Sequence, residues 1–286
     1  MLFTKQTQHP FHIVRVSPWP ILISFSILNL LITLVLYFHE YNLNSIWFVM
    51  LQPVGIFLFF YAFINWLWDV VVEATFEGKH SSRVQYGLRL GFIFFILSEI
   101  MFFFGFFWAF FHSSVSPSIW IGCIFPPLGI PVLNPWALPL LNTVILLSSG
   151  VTVTWAHKVI VTNKVSFKNI KTTAAAYYNS RKEGVKGLLL TIILGLFFTS
   201  IQLYEYKHAG FAINDSIYGA VFFLLTGFHG FHVLVGTIFL IVCLFRHLRY
   251  HFSRQHHLGL EMAIWYWHFV DVVWIFLFIF LYVWGA

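Results

Sequence analysis

Charge is what this sequence most lacks: only 9% of its 286 residues are Asp, Glu, Lys or Arg, where a soluble domain carries about 25%. With 59% hydrophobic residues beside so few charges, an ordinary water-soluble enzyme is excluded and a polytopic membrane protein is indicated. Cysteine is nearly absent as well. Cys123 and Cys243 fall at opposite levels of the apolar pattern, about 30 Å of hydrocarbon apart, which excludes a disulfide between them and any Cys-based metal site. A Gly-rich phosphate loop, a nucleophile elbow and a zincin motif are missing, and so is an inverted internal repeat of the transporter kind. No basic n-region or small-residue cleavage site accompanies the first apolar run, which therefore reads as a retained span and not a cleaved signal.

What is present is a series of apolar runs at about 19–38, 46–67, 88–112, 137–157, 187–205, 217–245 and 261–284. Each is long enough to cross a bilayer as a helix at 1.5 Å per residue. The expected fold is an all-α membrane domain of seven helices over 1–286. If the N-terminus lies inside, 15 of the 16 Lys and Arg lie on inner segments and only Lys207 lies outside. That asymmetry predicts an N-in, C-out topology. The net charge of +6 is accordingly an orientation signal and not a footprint for nucleic acid.

Several polar residues interrupt the spans. Glu99 sits near the middle of the third, where a carboxylate costs about 2.5–3.5 kcal/mol on insertion scales. It is either hidden between helices as a buried intramembrane carboxylate or used. His229 and His232 share a face of the sixth helix at i, i+3, a spacing open to a metal or haem and equally to hydrogen bonding between helices. Glu261, Trp265, His268 and Asp271 form a stripe on the seventh helix that should point into the bundle as a buried polar network. Gln202 and Glu205 make a shorter version in the fifth. Two Glu-x-x-His pairs, Glu77–His80 and Glu205–His208, fall at opposite bilayer levels and cannot share one di-metal centre.

The connections are uneven. The segment 113–136 carries no charge and five prolines, and should form a compact, stiff cap. The segment 158–186 carries seven Lys or Arg against the single acid Glu183 and reads as an extended basic inner loop. Its middle, KTTAAAYYNSRKE, suits either an amphipathic helix on anionic lipid or a solvated loop. At the inner end of the second helix, Trp66, Trp68, Asp69, Glu73, Lys79, His80 and Arg83 cluster, and Arg246 and Arg249 close the sixth helix at the same level. Arg and His there suit lipid phosphate, and Glu suits an ethanolamine head group.

Read together, SPWP (17–20), SEIMFFFGFFWAFFHSS (98–114), PPLGI, LNP and PLLNT within 126–143, SGVTVTWAH (149–157), SIYGAVFFLLTGFHGFHVLVGT (216–237) and HHLGLEMAIWYWHFVDVVWIFL (256–277) resemble cytochrome c oxidase subunit III, in order and nearly end to end. The resemblance implies a core subunit of respiratory complex IV without a redox metal or catalytic centre of its own. Haem a and copper then belong to partner subunits I and II, which pass electrons from cytochrome c to dioxygen while pumping protons. It also implies contact with subunit I and with accessory subunits. Phospholipid is expected in a V-shaped cleft between helices 1–2 and helices 3–7. The implied location is the mitochondrial inner membrane, ahead of a bacterial one, with the N-terminus in the matrix and the C-terminus in the intermembrane space. Residue by residue, Glu99 matches the family's buried carboxylate, Glu73, His80 and Arg246 match positions near a lipid head group, and His9 and His12 match histidines on the proton-entry side. The chain departs at Trp66-Leu67-Trp68-Asp69 and at Val72, where many relatives carry Arg, so two basic groups are missing from the head-group region. The segment 163–186 looks longer than is usual in the family.

Two other functions stay open on sequence: a proton relay through Glu99, His268 and Asp271 within the chain itself, and a quinol oxidase subunit of the same fold. The intact region 19–67 argues for the cytochrome c branch, since quinol relatives often lack the first two helices.

Overall fold

A computed structural model describes residues 11–39, 46–162, 170–254 and 256–285, with the backbone alone described at 46–49, 162 and 170–180. Among these residues, seven helices are long and apolar enough to cross a membrane, and no strand occurs. In hydrocarbon only intra-helical hydrogen bonding satisfies every backbone N–H and C=O, which is why apolar runs of this length become helices. The chain divides into two compact units, 1–88 and 89–286. The division separates the first two helices from nearly all of the remaining five.

The first unit is a hairpin of α1 (Trp19–Phe38) and α2 (Ile46–Thr75). Pro18 caps α1 and Pro20 lies in its first turn, where a missing N–H costs nothing. Pro53 removes one rung inside α2. Beside it, Asn29 Nδ2 donates to the Leu51 carbonyl at 2.8 Å. Gly55 admits that side chain, because a Cβ there would lie 2.4 Å from Asn29 Nδ2. At the other end Trp19 Nε1 donates to the Asp69 carboxylate. The remaining faces of α1 and α2 are largely exposed and apolar, a surface suited to lipid and not to water.

The second unit contains α3 (Ser82–Val115, entered from the first unit), α4 (Leu138–Thr162), α5 (Ile170–His208), α6 (Ser216–Leu248) and α7 (Leu258–Phe276). The last continues as a π-helix over Leu277–Trp284. α7 is the central helix: 56% of its span is buried, against 6% for α3. Trp267 of α7 lies between Gly195 of α5 and Gly236 of α6, where a Cβ would come within 2.7 and 2.9 Å of its ring. Both indoles of the α7 core find hydroxyl partners on α4, Trp267 Nε1 on Ser149 and Trp274 Nε1 on Thr143, each at 2.9 Å. Hydroxyls placed there satisfy N–H groups that hydrocarbon would otherwise strand.

The segment read as a basic inner loop over 158–186 is mostly helix. α4 continues to Thr162 and α5 starts at Ile170, well ahead of the apolar run. Ala174, Ala175 and Ala176 favour a helix, and Lys186 pairs with Glu183 at 2.7 Å one turn away. Arg181 Nη2 also donates to the Leu248 and His247 carbonyls, tying α5 to the exposed end of α6. α2 and α3 likewise outrun their apolar stretches, to Thr75 and back to Ser82, because a helix that has left the bilayer can continue in water.

Candidate functional site

Within the second unit, Glu99 of α3 meets His232 of α6 at 2.8 Å. Nδ1 of His232 lies 2.6 Å from the Phe228 carbonyl, and only an N–H satisfies that acceptor. Nε2 therefore faces the carboxyl group, and one hydrogen sits between the two atoms, on the acid or on the ring. Phe102, Phe103, Tyr266 and Phe269 surround the imidazole with ring centroids 5.1–6.5 Å away. Glu99 keeps 24% of its side-chain surface exposed and is half-buried within this unit. α3 lies at the edge of the unit, and that placement is the cause.

His229 does not join His232. Its Nε2 bonds the Val270 carbonyl at 3.2 Å, and its ring packs on Trp274 and Phe198. The i, i+3 pair thus binds two different neighbours and does not converge on a metal or haem.

The polar stripe of α7 is dispersed. Glu261 accepts both Nε and Nη2 of Arg89 from α3, at 3.0 and 2.8 Å. His268 Nδ1 lies 3.5 Å from Asp271 Oδ2, with the histidine 43% exposed and the aspartate 7%. Thr154 Oγ1 donates to the Gly150 carbonyl and takes the other side of the His268 ring at 3.2 Å. Asp271 is buried against Gly150, where a Cβ would lie 2.5 Å from its carboxylate. The expectation of one buried network over Glu261, His268 and Asp271 is corrected to two separate groups, Arg89–Glu261 and Thr154–His268–Asp271. Glu261 and His268 share a face of α7, but two turns, about 10.5 Å along the axis, separate them, so each finds its partner at a different level.

A fully buried network lies elsewhere. Tyr282 donates to Glu205 at 2.6 Å, and Gln202 reaches Glu205 at 3.4 Å and Asn142 at 3.3 Å. Gln202 and Glu205 show as polar residues within a span, whereas Tyr282 and Asn142 look in sequence like ordinary span residues. Their meeting depends on helix packing.

In the first unit, Glu73 faces His12 at 3.6 Å, Glu77 takes Lys79 at 2.6 Å and Arg15 at 3.8 Å, and the His12 and His80 rings meet edge to face at 5.4 Å. Lys79, then Arg15, holds the Glu77 carboxyl below its ordinary range. Trp66 is exposed on the same helix. His9 lies outside the described residues. In the second unit, Arg246 lies over the Phe252 ring, 4.7 Å from its centroid, and Arg249 is the exposed cap of α6. His251 beside them is lowered by burial and by both arginines. An apolar groove of 1090 Å³ runs along α3 and α7, from Ile96 and Trp265 to Val115 and Phe280, with His268 and His112 at its wall.

The sequence matches the family model for cytochrome c oxidase subunit III over residues 9–286. It is 51% identical over 279 residues to cytochrome c oxidase subunit 3 of Prototheca wickerhamii, covering 98% of this chain and 99% of the relative. It is 50% identical over 283 residues to that of Drosophila melanogaster, covering 99% and 100%. For Arabidopsis thaliana the identity is 49% over 282 residues, covering 99% of each.

Proposed function

Since the chain belongs to the cytochrome c oxidase subunit III family, and so to an oxidoreductase complex, we propose that it is the core non-redox subunit of complex IV. In this reading it packs on subunit I, holds phospholipid, and sustains the proton uptake and turnover of the redox subunits. Haem a, copper, cytochrome c oxidation and dioxygen reduction belong to its partners. The location is the mitochondrial inner membrane, with the N-terminus in the matrix and the C-terminus in the intermembrane space, as the distribution of Lys and Arg argues. The carrying observation is the match over residues 9–286.

The lipid role draws on three features, each within its own unit. Glu73, His80 and Trp66 offer a carboxylate, an imidazole and an interfacial indole to a head group. Arg246 and Arg249 offer cations for phosphate at the end of α6. The groove along α3 and α7 is lined almost wholly by apolar side chains, which suits an acyl chain.

A proton relay through the chain is the weaker reading. The hydrogen bonds of His232 run on to the Phe228 carbonyl, and those of His268 through Thr154 to the Gly150 carbonyl. Backbone carbonyls neither store nor release a proton, so both of these paths end there, and the Asp271 carboxylate faces His268 of its own helix. These contacts suit closed, structural pairs.

A visible spectrum and metal analysis of whatever co-purifies with the chain in mild detergent tests the assignment. Haem a and copper should accompany it together with partner subunits and be absent from the chain once stripped alone. A colourless preparation without partners would refute it.

A further inference from the structure

Among the described residues, His12, Glu73 and His80 bring their ligand atoms within 4.8 Å of one another. The three come from separate stretches: the extended segment before α1, the last turn of α2 and the turn ahead of α3. Their convergence is therefore a tertiary feature and not a by-product of helix periodicity. Tetrahedral zinc, with ligands at about 2.0–2.2 Å, needs neighbouring donor atoms about 3.3 Å apart. His12 Nε2 and Glu73 Oε2 stand 3.6 Å apart and no donor pair exceeds 4.8 Å, so closing the set requires edges to shorten by about 0.3–1.5 Å, within the reach of rotamer adjustment.

The donor set itself favours the same occupant. Lys79 and Arg15 are engaged by Glu77, and Glu73 faces imidazole rings. Two neutral imidazoles and one carboxylate carry a net charge of −1, a set that attracts a divalent cation. Its N2O composition suits borderline-soft zinc over magnesium or calcium, which prefer all-oxygen sites.

We propose that His12, Glu73 and His80 form a zinc site with a fourth position open to water, clamping segment 11–18 onto the end of α2. Bound zinc ties the N-terminal stretch to the α1–α2 hairpin where His12–Glu73 and Arg15–Glu77 now hold it through longer contacts. This goes beyond the lipid reading, which gives Glu73 and His80 an ammonium head group, and the two occupants are separable by experiment.

Intact oxidase is stripped with a chelator and retitrated with Zn2+. Uptake is followed by metal analysis and zinc-edge X-ray absorption, and histidine accessibility by diethyl pyrocarbonate labelling with peptide mass spectrometry. The wild-type complex should take up one equivalent that Glu73→Gln and His80→Ala bind at least about 10–100-fold more weakly. The absorption edge should report two imidazole ligands. Zinc should protect the exposed His12 from labelling and leave the exposed His208 of α5 reactive. The haem a spectrum identifies variants that remain assembled. Identical uptake by wild type and assembled variants would overturn the proposal. Unprotected His12 in zinc-loaded wild type would overturn it even if neither variant assembles. Loss of phospholipid from Glu73→Gln with unchanged zinc uptake would assign the cluster to lipid alone.

Discussion

Replacing Glu99 separates a structural pair from a proton path. The carboxyl group meets His232 Nε2 at 2.8 Å, and the opposite nitrogen is committed to the Phe228 carbonyl. A glutamine at 99 can donate its amide N–H to Nε2 and keep the contact. A leucine leaves that nitrogen facing hydrocarbon. Polar contacts between membrane helices average about 0.6 kcal/mol and reach about 1.7, and an unsatisfied buried acceptor costs about 1–3 kcal/mol. Glu99→Gln should therefore cost under about 1 kcal/mol and Glu99→Leu about 1–3 kcal/mol. Thermal dissociation of the chain from the oxidase in mild detergent measures this, and a Glu99→Leu/His232→Leu cycle isolates the coupling. Turnover and proton pumping by Glu99→Gln in vesicles should both survive. Abolished pumping with unchanged thermal stability would refute the structural account and restore the relay.

Gly195→Val should destabilise the second unit by about 1–3 kcal/mol, because a Cβ at 195 would lie 2.7 Å from the Trp267 ring. Gly227→Ala, with nothing within 4 Å, should be neutral or slightly stabilising, and thermal melting compares the two. Tyr282→Phe removes the 2.6 Å donor to Glu205 and should cost about 1–3 kcal/mol in the same assay. Arg89→Leu breaks the two hydrogen bonds to Glu261. Both groups are partly solvated, so the expected loss is about 1 kcal/mol or less, with a larger effect at low salt. Glu77 has a folded pKa held low by Lys79 and then Arg15. Its contribution is complete above the ordinary carboxylate value of about 4.3 and fades as pH falls through the lowered folded value. Protection of residues 11–18 from hydrogen exchange, taken relative to the intrinsic exchange rate at each pH, should thus be flat from neutral pH to about 5 and fall only in stronger acid.

The helix count was legible because each span is a long apolar run, and lipid leaves such a run no other structure. Helix ends were not. Thr75, Ser82 and Ile170 lie in polar sequence where hydropathy falls silent while the backbone continues to hydrogen-bond. Glu99 stood out alone because a carboxylate in mid-span is costly. Its partner could not be read, since His232 is 133 residues away and equally suited to a partnership with His229. The His268–Asp271 contact was legible from spacing. The Arg89–Glu261 pair was hidden, because Arg89 looked like one more positive charge at a membrane boundary. The convergence of His12 with Glu73 and His80 requires the extended chain before α1 to fold back on the end of α2, and no local periodicity encodes that.

The most direct test of the central claim compares the oxidase with and without this chain under sustained turnover. The account predicts that the depleted complex retains its haem a and copper spectra and most of its initial electron-transfer rate. It should then lose activity within fewer turnovers than the intact complex and retain less phospholipid. Equal endurance and equal lipid content without the chain would contradict the account, as would loss of haem from the partners on its removal.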